Sequence, residues 1–289
     1  MSHSDIDKHR RAIDQLDDAM LDLLAKRIAL GQQIGAAKEA ADGPHFAFRP
    51  AREAAVMRRL IKAAGSLPPR LVFAAWRAVM SGTARLQAPL RLEIPVAGPD
   101  STLRDLALAH FSAGMPTVER EDTQSIVTSV SANPNVLGIL PFPESDDVAP
   151  WWISVAVQRP TVPRVIAALP FVSATGPVDA FPKALVIGQG GGGPSGDDVT
   201  LLSLIANLEF SRDGITEALQ KSALKARDIA SFRPPSGRPL FFHLFALPGY
   251  LSEDDGAFID LRARLGEEVR EMHIIGGYAR PLVLSAELS

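Results

Sequence analysis

Apolar side chains recur at helical spacing through the first forty residues: Ile13, Leu16, Met20, Leu23, Leu24, Leu30 and Ile34. The pattern predicts a single helix over residues 5–40, capped by Ser4 or Asp5. A helix of about 35 residues spans about 50 Å. That is too long for a compact lone domain, so a bundle or coiled-coil partner is expected. Asp42-Gly43-Pro44 ends it. A second helix is expected from Pro50, suited to a first turn, to Ala64, with Gly65 as its stop. A third runs from Pro68 to Gln87 and is closed by Pro89.

Beyond Pro89 the pattern changes. Of the 23 prolines, 19 lie after residue 88, and short apolar runs stand between turn signals. Residues 92–97, 136–140, 165–169 and 184–187 read as strands, with a helix ending at Phe111 after the first. Gly190–Gly193 with Pro194 and Gly196 reads as a loop or linker. The order after it is strand (199–205), helix (214–226), strand (228–233), strand (240–247), helix (255–265) and strand (269–275). This is the βαββαβ order of a ferredoxin-like unit. The expected fold class is therefore multidomain α and α/β, divided as an all-helical domain over 1–89, an α/β domain over 90–196 and a ferredoxin-like domain over 197–289.

Charge sharpens this division. The net charge of −3 conceals a net of +5 over residues 1–88, from 14 Lys+Arg against 9 Asp+Glu, and −8 over the rest. A basic helical domain fits an anionic partner. Interspersed acids, with no basic stripe or aromatic platform, argue against nucleic acid; a small polyanion fits better. The chain has no cysteine, which excludes disulfides, thiolate chemistry and Cys-based zinc sites. Its six histidines are scattered, so no metal is expected. There is no run of about 18 apolar residues and no charged-then-apolar secretory pattern at residues 1–5. No membrane association is expected, and a cytoplasmic location is.

Two cations on the first helix are candidates for binding that anion. Arg27 stands among Leu23, Leu24, Leu30 and Ile34, and Lys38 lies 11 residues on. The two share a face to within about 20° and are separated by about 16 Å along the axis. One such cation alone more often snorkels to solvent; two on one apolar face weaken that reading. Arg10 lies about 25 Å from Arg27 along the helix, so it reaches the same pocket only from an antiparallel partner chain. Gly188-Gln189-Gly190-Gly191-Gly192-Gly193 matches G-x-G-x-x-G literally, but Pro194 follows where a dinucleotide fold needs a helix; no cofactor is expected. Trp151-Trp152 reads as core or interface.

The strings Arg10–Ile13-Asp14-x-Leu16-Asp17, Leu23-Leu24-Ala25-x-Arg27 and Ile34-Gly35-x-x-Lys38 resemble the first helix of the all-helical bacterial chorismate mutases. Phe48-Arg49-Pro50-x-Arg52-Glu53 and Met80-Ser81-Gly82-Thr83-x-x-x-Gln87 keep order and spacing with that family's second and third helices. The resemblance covers residues 6–88 and implies a three-helix domain in an intertwined homodimer that isomerises chorismate to prephenate. That pericyclic rearrangement needs no base, nucleophile or metal; it needs the compact conformer held and charge on the breaking ether oxygen stabilised. The resemblance implies that Arg27 and the other chain's Arg10 clamp the carboxylates, for which Arg forks are suited. It implies that Lys38 and Gln87 donate to the ether oxygen and that Glu53 accepts from the ring hydroxyl. Arg52 would position these groups, and Thr83 would contact a carboxylate. Arg49 stands where some members have an acid, so its contact would run through the main chain. Taken alone, Glu53 also reads as a first-turn acid favoured by the helix dipole, and Thr83 as an ordinary helix residue.

Residues 92–289 resemble more weakly the prephenate dehydratase region, of periplasmic-binding-protein-like fold, that follows such a domain in bifunctional proteins. Residues 97–102 look like its glycine-rich start, and residues 137–145 like its Gly-Val-x-Pro-Ile-Glu-Asn-Ser segment without the Asn. Phe181-Pro182-Lys183 stands where that family has Thr-Arg-Phe, which implies a dehydratase unit without activity. Ser231-Phe232-Arg233-Pro234 and Gly276-Gly277-Tyr278 resemble parts of the regulatory ACT domain, implying an aromatic amino acid as an effector. The alternatives are an active bifunctional mutase–dehydratase and a non-catalytic protein that binds an aromatic acid.

Overall fold

The computed structural model describes residues 3–42, 46–96, 102–145, 147–157, 161–173, 182–190, 192–207, 215, 217, 219, 224–235 and 240–284. Three helices come first: α1 (His3–Asp42), α2 (Pro50–Ala63) and α3 (Pro69–Gln87). Each begins and ends within about two residues of the expected bounds. Gly65, at φ +60°, turns the chain after α2, a left-handed conformation that glycine adopts without steric cost.

The remainder folds as β1 (Arg91–Pro95), α4 (Thr102–Phe111), β2 (Thr117–Arg120), α5 (Thr123–Ala132), β3 (Val136–Pro141), a 3₁₀ turn (Trp151–Val155), β4 (Arg164–Leu169), β5 (Val172–Ser173) and β6 (Ala184–Gly188). Then follow β7 (Asp198–Asn207), β8 (Arg227–Phe232), β9 (Leu240–Pro248), α6 (Gly256–Leu265), β10 (Val269–Ala279) and β11 (Leu282–Val283). Ile215, Glu217 and Leu219 are helical, between β7 and β8.

Among the described residues nine strands form one mixed sheet in the order β2-β1-β3-β6-β4-β10-β7-β9-β8. The last four, β10-β7-β9-β8, run antiparallel throughout. Fourth, first, third, second is the strand order of a ferredoxin-like unit, as the βαββαβ pattern leads one to expect. The sheet does not stop at that unit's edge. β4 and β10 meet in parallel through one pair, Val165 with Gly276. A hydrophobic core also crosses the junction: Trp151, Trp152, Val155 and Leu185 pack with Leu201, Leu244, Ile275 and Tyr278. Both tryptophans are buried, as their reading as core requires.

A second core on the opposite face joins Phe48 and Ala84 of the helical segment to Leu92, Phe111, Leu137 and Val186. A smaller cluster, Ala54, Met57, Met80 and Phe171, seats α2 and α3 on the α/β region. Arg58 of α2 adds polar ties, donating to the carbonyls of Ser195, Asp197 and Arg280 at 3.1, 2.7 and 3.0 Å. No helix among the described residues is long and apolar enough to cross a membrane.

α1 differs from the other helices. At 40 residues it spans about 60 Å, and its apolar stripe faces outward. Ile13, Leu16, Met20, Leu23, Leu30 and Ile34 are 57–67% exposed. With Arg27 they follow a 3-4-3-4 spacing, the seam of a helix that packs on another helix.

Candidate active site

Two rungs join α1 to α3. Arg27 Nη1 donates to Thr83 Oγ1 at 3.1 Å, and Gln87 Nε2 donates to the Gly31 carbonyl at 3.0 Å. Arg27 and Gly31 are one turn apart on α1, as Thr83 and Gln87 are on α3, so the contacts stack along the seam. Thr83 Oγ1 gives its own proton to the Val79 carbonyl at 2.7 Å, which turns a lone pair toward Arg27. Gly31 is what allows the approach: a Cβ there would stand 3.0 Å from Thr83 Cγ2, and one at Gly35 would stand 3.6 Å from the Gln87 side chain. Neither glycine was a sequence candidate, although their four-residue spacing on the Arg27 face marks a place for a close neighbour.

The seam is rich in donors. Arg27 has five N–H donors and Gln87 two, and the rungs use one from each residue. Lys38 lies farther along α1 and its side chain is outside the described residues. Arg10 is well exposed near the other end of α1 and, among the described residues, pairs with Asp7 at 3.3 Å. Arg49 and Arg52 are exposed at the start of α2, and the Arg49 carbonyl accepts from the Glu53 N–H at 2.9 Å.

Glu53 is not bonded to this seam. Its Oε2 accepts from Arg77 Nη1 at 2.6 Å, and Arg77 Nε donates to the His110 carbonyl at 2.7 Å. Arg77 is 4% exposed. It stands alone among apolar residues from Leu71 to Met80, a signal for a buried, paired cation. Burial and the Arg77 charge hold the His110 imidazole well below its usual range, so it is neutral.

Elsewhere, an open cleft of about 570 Å³ is lined by Phe142, Pro143, Glu144, Ser145, Pro182, Lys183 and Ile229. It unites two of the segments read as dehydratase-like; Phe181 and residues 97–101 lie outside the described residues. A cavity of about 400 Å³ opens where β4 and β10 part. On its wall Arg164 Nη1 donates to the Ile274 carbonyl at 3.0 Å and Glu253 accepts the Ile274 N–H at 3.0 Å. Among the described residues no group of three His, Asp or Glu is placed to hold a metal.

Residues 9–88 match the chorismate mutase type II family. The match takes in α1 to α3 almost entire and every residue of the α1–α3 seam. A bifunctional chorismate mutase/prephenate dehydratase of Neisseria gonorrhoeae is 36% identical over 112 residues, 38% of this chain and 29% of that protein. The likeness thus spans less than a third of the relative's length.

Among solved structures, the prephenate dehydratase of Streptococcus mutans is 12% identical, with 65% of this chain and 97% of that one covered at a TM-score of 0.45. That of Arthrobacter aurescens, solved with L-Phe, is 13% identical, with 67% and 93% covered at 0.43. A quorum-quenching acylase, GqqA, is 12% identical, with 66% and 94% covered at 0.44. The mutase-type helices are thus recognised by sequence, while the likeness beyond them is faint.

Proposed function

We propose that this chain is a chorismate mutase, an isomerase of aromatic amino acid biosynthesis acting in the cytoplasm as a homodimer, and that it uses no cofactor. The observation that carries this reading is the α1–α3 seam, where Arg27, Thr83 and Gln87 converge inside the segment matching the mutase family. The rearrangement breaks the ether C–O bond and forms a C–C bond within one molecule. Arg27 clamps one carboxylate and frees the Thr83 hydroxyl for another contact. Gln87 and Lys38 donate to the ether oxygen as charge grows there, which lowers the barrier only if the donors are already in place. Glu53 accepts from the ring hydroxyl, while Arg49 and Arg52 line the entrance from α2.

The second carboxylate clamp is Arg10 of a partner chain. The outward apolar seam of α1 supports the dimer: six large side chains at coiled-coil spacing are left in water by a single chain. Residues 1–89 form the mutase unit, 90–196 a dehydratase-like unit and 197–289 an ACT-like unit. The dehydratase-like unit is inactive in this reading, because Phe181-Pro182-Lys183 stands where the related family has its Thr-Arg-Phe segment and brings neither the threonine nor the arginine.

The test is to follow chorismate loss and then ask whether phenylpyruvate appears. Loss of chorismate to prephenate, falling by orders of magnitude in Arg27→Ala with unchanged circular dichroism, is expected. No loss above the uncatalysed rate refutes the enzyme and favours an aromatic-acid-binding protein. Formation of phenylpyruvate establishes the bifunctional alternative, which the kinship with a bifunctional relative favours. Calorimetry with phenylalanine and tyrosine tests the ACT-like unit for an effector.

A further inference from the structure

We propose that Arg77 is a positioning residue for the mutase reaction, holding Glu53 in its working rotamer, and that the α/β region sets Arg77 in turn. This rests on the mutase reading above and adds a residue and a dependence to it. A guanidinium that is 4% exposed needs partners, and two of its three nitrogens have them. Nε is fixed on the His110 carbonyl of α4, and Nη1 on Glu53 Oε2. The planar fork permits both only in one orientation of the group. Nη2, buried, makes no hydrogen bond among the described residues, and neither does His110 Nδ1. Both residues border a cavity of about 20 Å³ that Glu53 also lines, enough for one water.

The arrangement treats the two carboxylate oxygens of Glu53 unequally. Arg77 occupies Oε2, whereas Oε1 accepts no hydrogen bond among the described residues and is not fully buried. A carboxylate with one oxygen anchored and one unoccupied is prepared to accept from a ligand hydroxyl. Without Arg77, Glu53 is a first-turn side chain with several rotamers in reach of water.

The second anchor has a further consequence. His110 lies outside residues 9–88, the extent of the family match. The geometry of a mutase residue therefore depends on a main-chain carbonyl of the region that follows. The α/β region thereby contributes to the mutase site whether or not it has chemistry of its own.

The test uses the full chain. Arg77→Gln is expected to lower kcat roughly 10- to 100-fold, the scale of misplacing a reacting contact, with KM within about twofold because the carboxylate clamps are untouched. Glu53→Gln should match it, and the double variant should fall no further than either single one. Arg77→Lys keeps the charge without the fork, is the variant to read if Arg77→Gln fails to fold, and should lose kcat by about threefold or more. Wild-type kcat in a folded Arg77→Gln or Arg77→Lys, or multiplicative losses in the double variant, overturns the proposal and leaves Arg77 a stabilising residue only. Arg27→Ala separates the two readings. If Arg27→Ala is inactive while Arg77 variants turn over normally, this inference alone fails; if the wild type has no mutase activity, the underlying reading fails.

Discussion

Replacing Gly276 by alanine should cut the protein along the seam of its sheet. Gly276 is the β10 residue of the single pair that joins β10 to β4, and two features oppose a side chain there. Its φ is +121°, on the left-handed side where L residues are strained, at about 1–2 kcal/mol. An added Cβ would fall 2.1 Å from the Val165 carbonyl oxygen and 2.5 Å from the Val165 nitrogen. Both atoms are backbone, so no rotamer change relieves the overlap and the strands must separate. Overpacking of this kind costs about 1–3 kcal/mol. The sum is about 2–5 kcal/mol, or a fall in Tm of roughly 4–20 °C at the 2–4 °C per kcal/mol typical of large domains. Thermal unfolding followed by circular dichroism reads the fall, and hydrogen exchange should show β4 losing protection before β3. Gly256→Ala is the control: its Cβ meets nothing within 4 Å at the first turn of α6, so it should hold or raise Tm. A Gly276→Ala protein melting within about 2 °C of wild type would refute the claim that close backbone approach welds the two halves.

Two further outcomes follow from other parts of the molecule. Leu16→Asp together with Met20→Asp places charge in the outward seam of α1; light scattering should then report a monomer, with mutase turnover lost because Arg10 no longer reaches the site, and an active monomer would dismiss the shared site. Stability should also fall with acid in two stages, read as urea midpoints. His110 is neutral when folded, its pKa depressed by burial and by Arg77 from an unfolded value near 6.5, so the unfolded chain alone takes up the proton and stability declines as pH drops below about 6.5. Glu93 is opposite in kind: burial raises its pKa, but hydrogen bonds from Arg120, Ser129 and Arg91 outweigh that and hold it below 4.5. Its contribution is complete above that value and is lost as pH falls through the lower folded one. An unchanged midpoint between about pH 7.5 and 5 would remove the His110 argument.

The helical domain was legible because its signals are local. Apolar spacing, Pro50 and Gly65 bound α1 and α2 within two residues, and the ferredoxin-like order was readable from β7 to β10 for the same reason. β2 and α5 escaped notice. β2 has four residues and a burial pattern without a buried position. α5 is Thr-Gln-Ser-Ile-Val-Thr-Ser-Val-Ser-Ala, rich in β-branched and hydroxyl residues whose helix preference is weak; Asp122 caps it by accepting from the Ser125 N–H at 2.6 Å. At the candidate site, Arg27 stands out by its place on the apolar face of α1, whereas Thr83 and Gln87 are picked out through the resemblance to the mutase family. Gly31, Arg77 and His110 are marked by neither, because what they contribute is proximity. Gly31 matters by lacking atoms beside Thr83, and His110 matters by a carbonyl that every residue possesses.

Those non-local contacts change what the chain's division into units means. A basic helical segment followed by acidic α/β and ferredoxin-like segments reads as three modules on a string. Yet Phe48 packs on Phe111 with tilted rings whose centroids lie 5.2 Å apart, Arg58 of α2 holds the Ser195 carbonyl just before the ferredoxin-like unit and the Asp197 and Arg280 carbonyls within it, and Arg77 of α3 holds one from α4. Through these contacts α2 and α3 are built into the α/β body; α1 alone extends from it and meets α3 at the Gly31 seam. A site formed between α1 and α3 therefore has one wall on a rigid body and the other on a helix whose apolar stripe still needs covering. That asymmetry places control of the site in whatever packs on α1. On the reading proposed above, a second copy of this chain, bringing its own Arg10 with the helix that covers the stripe, would supply the missing wall and the missing cation together.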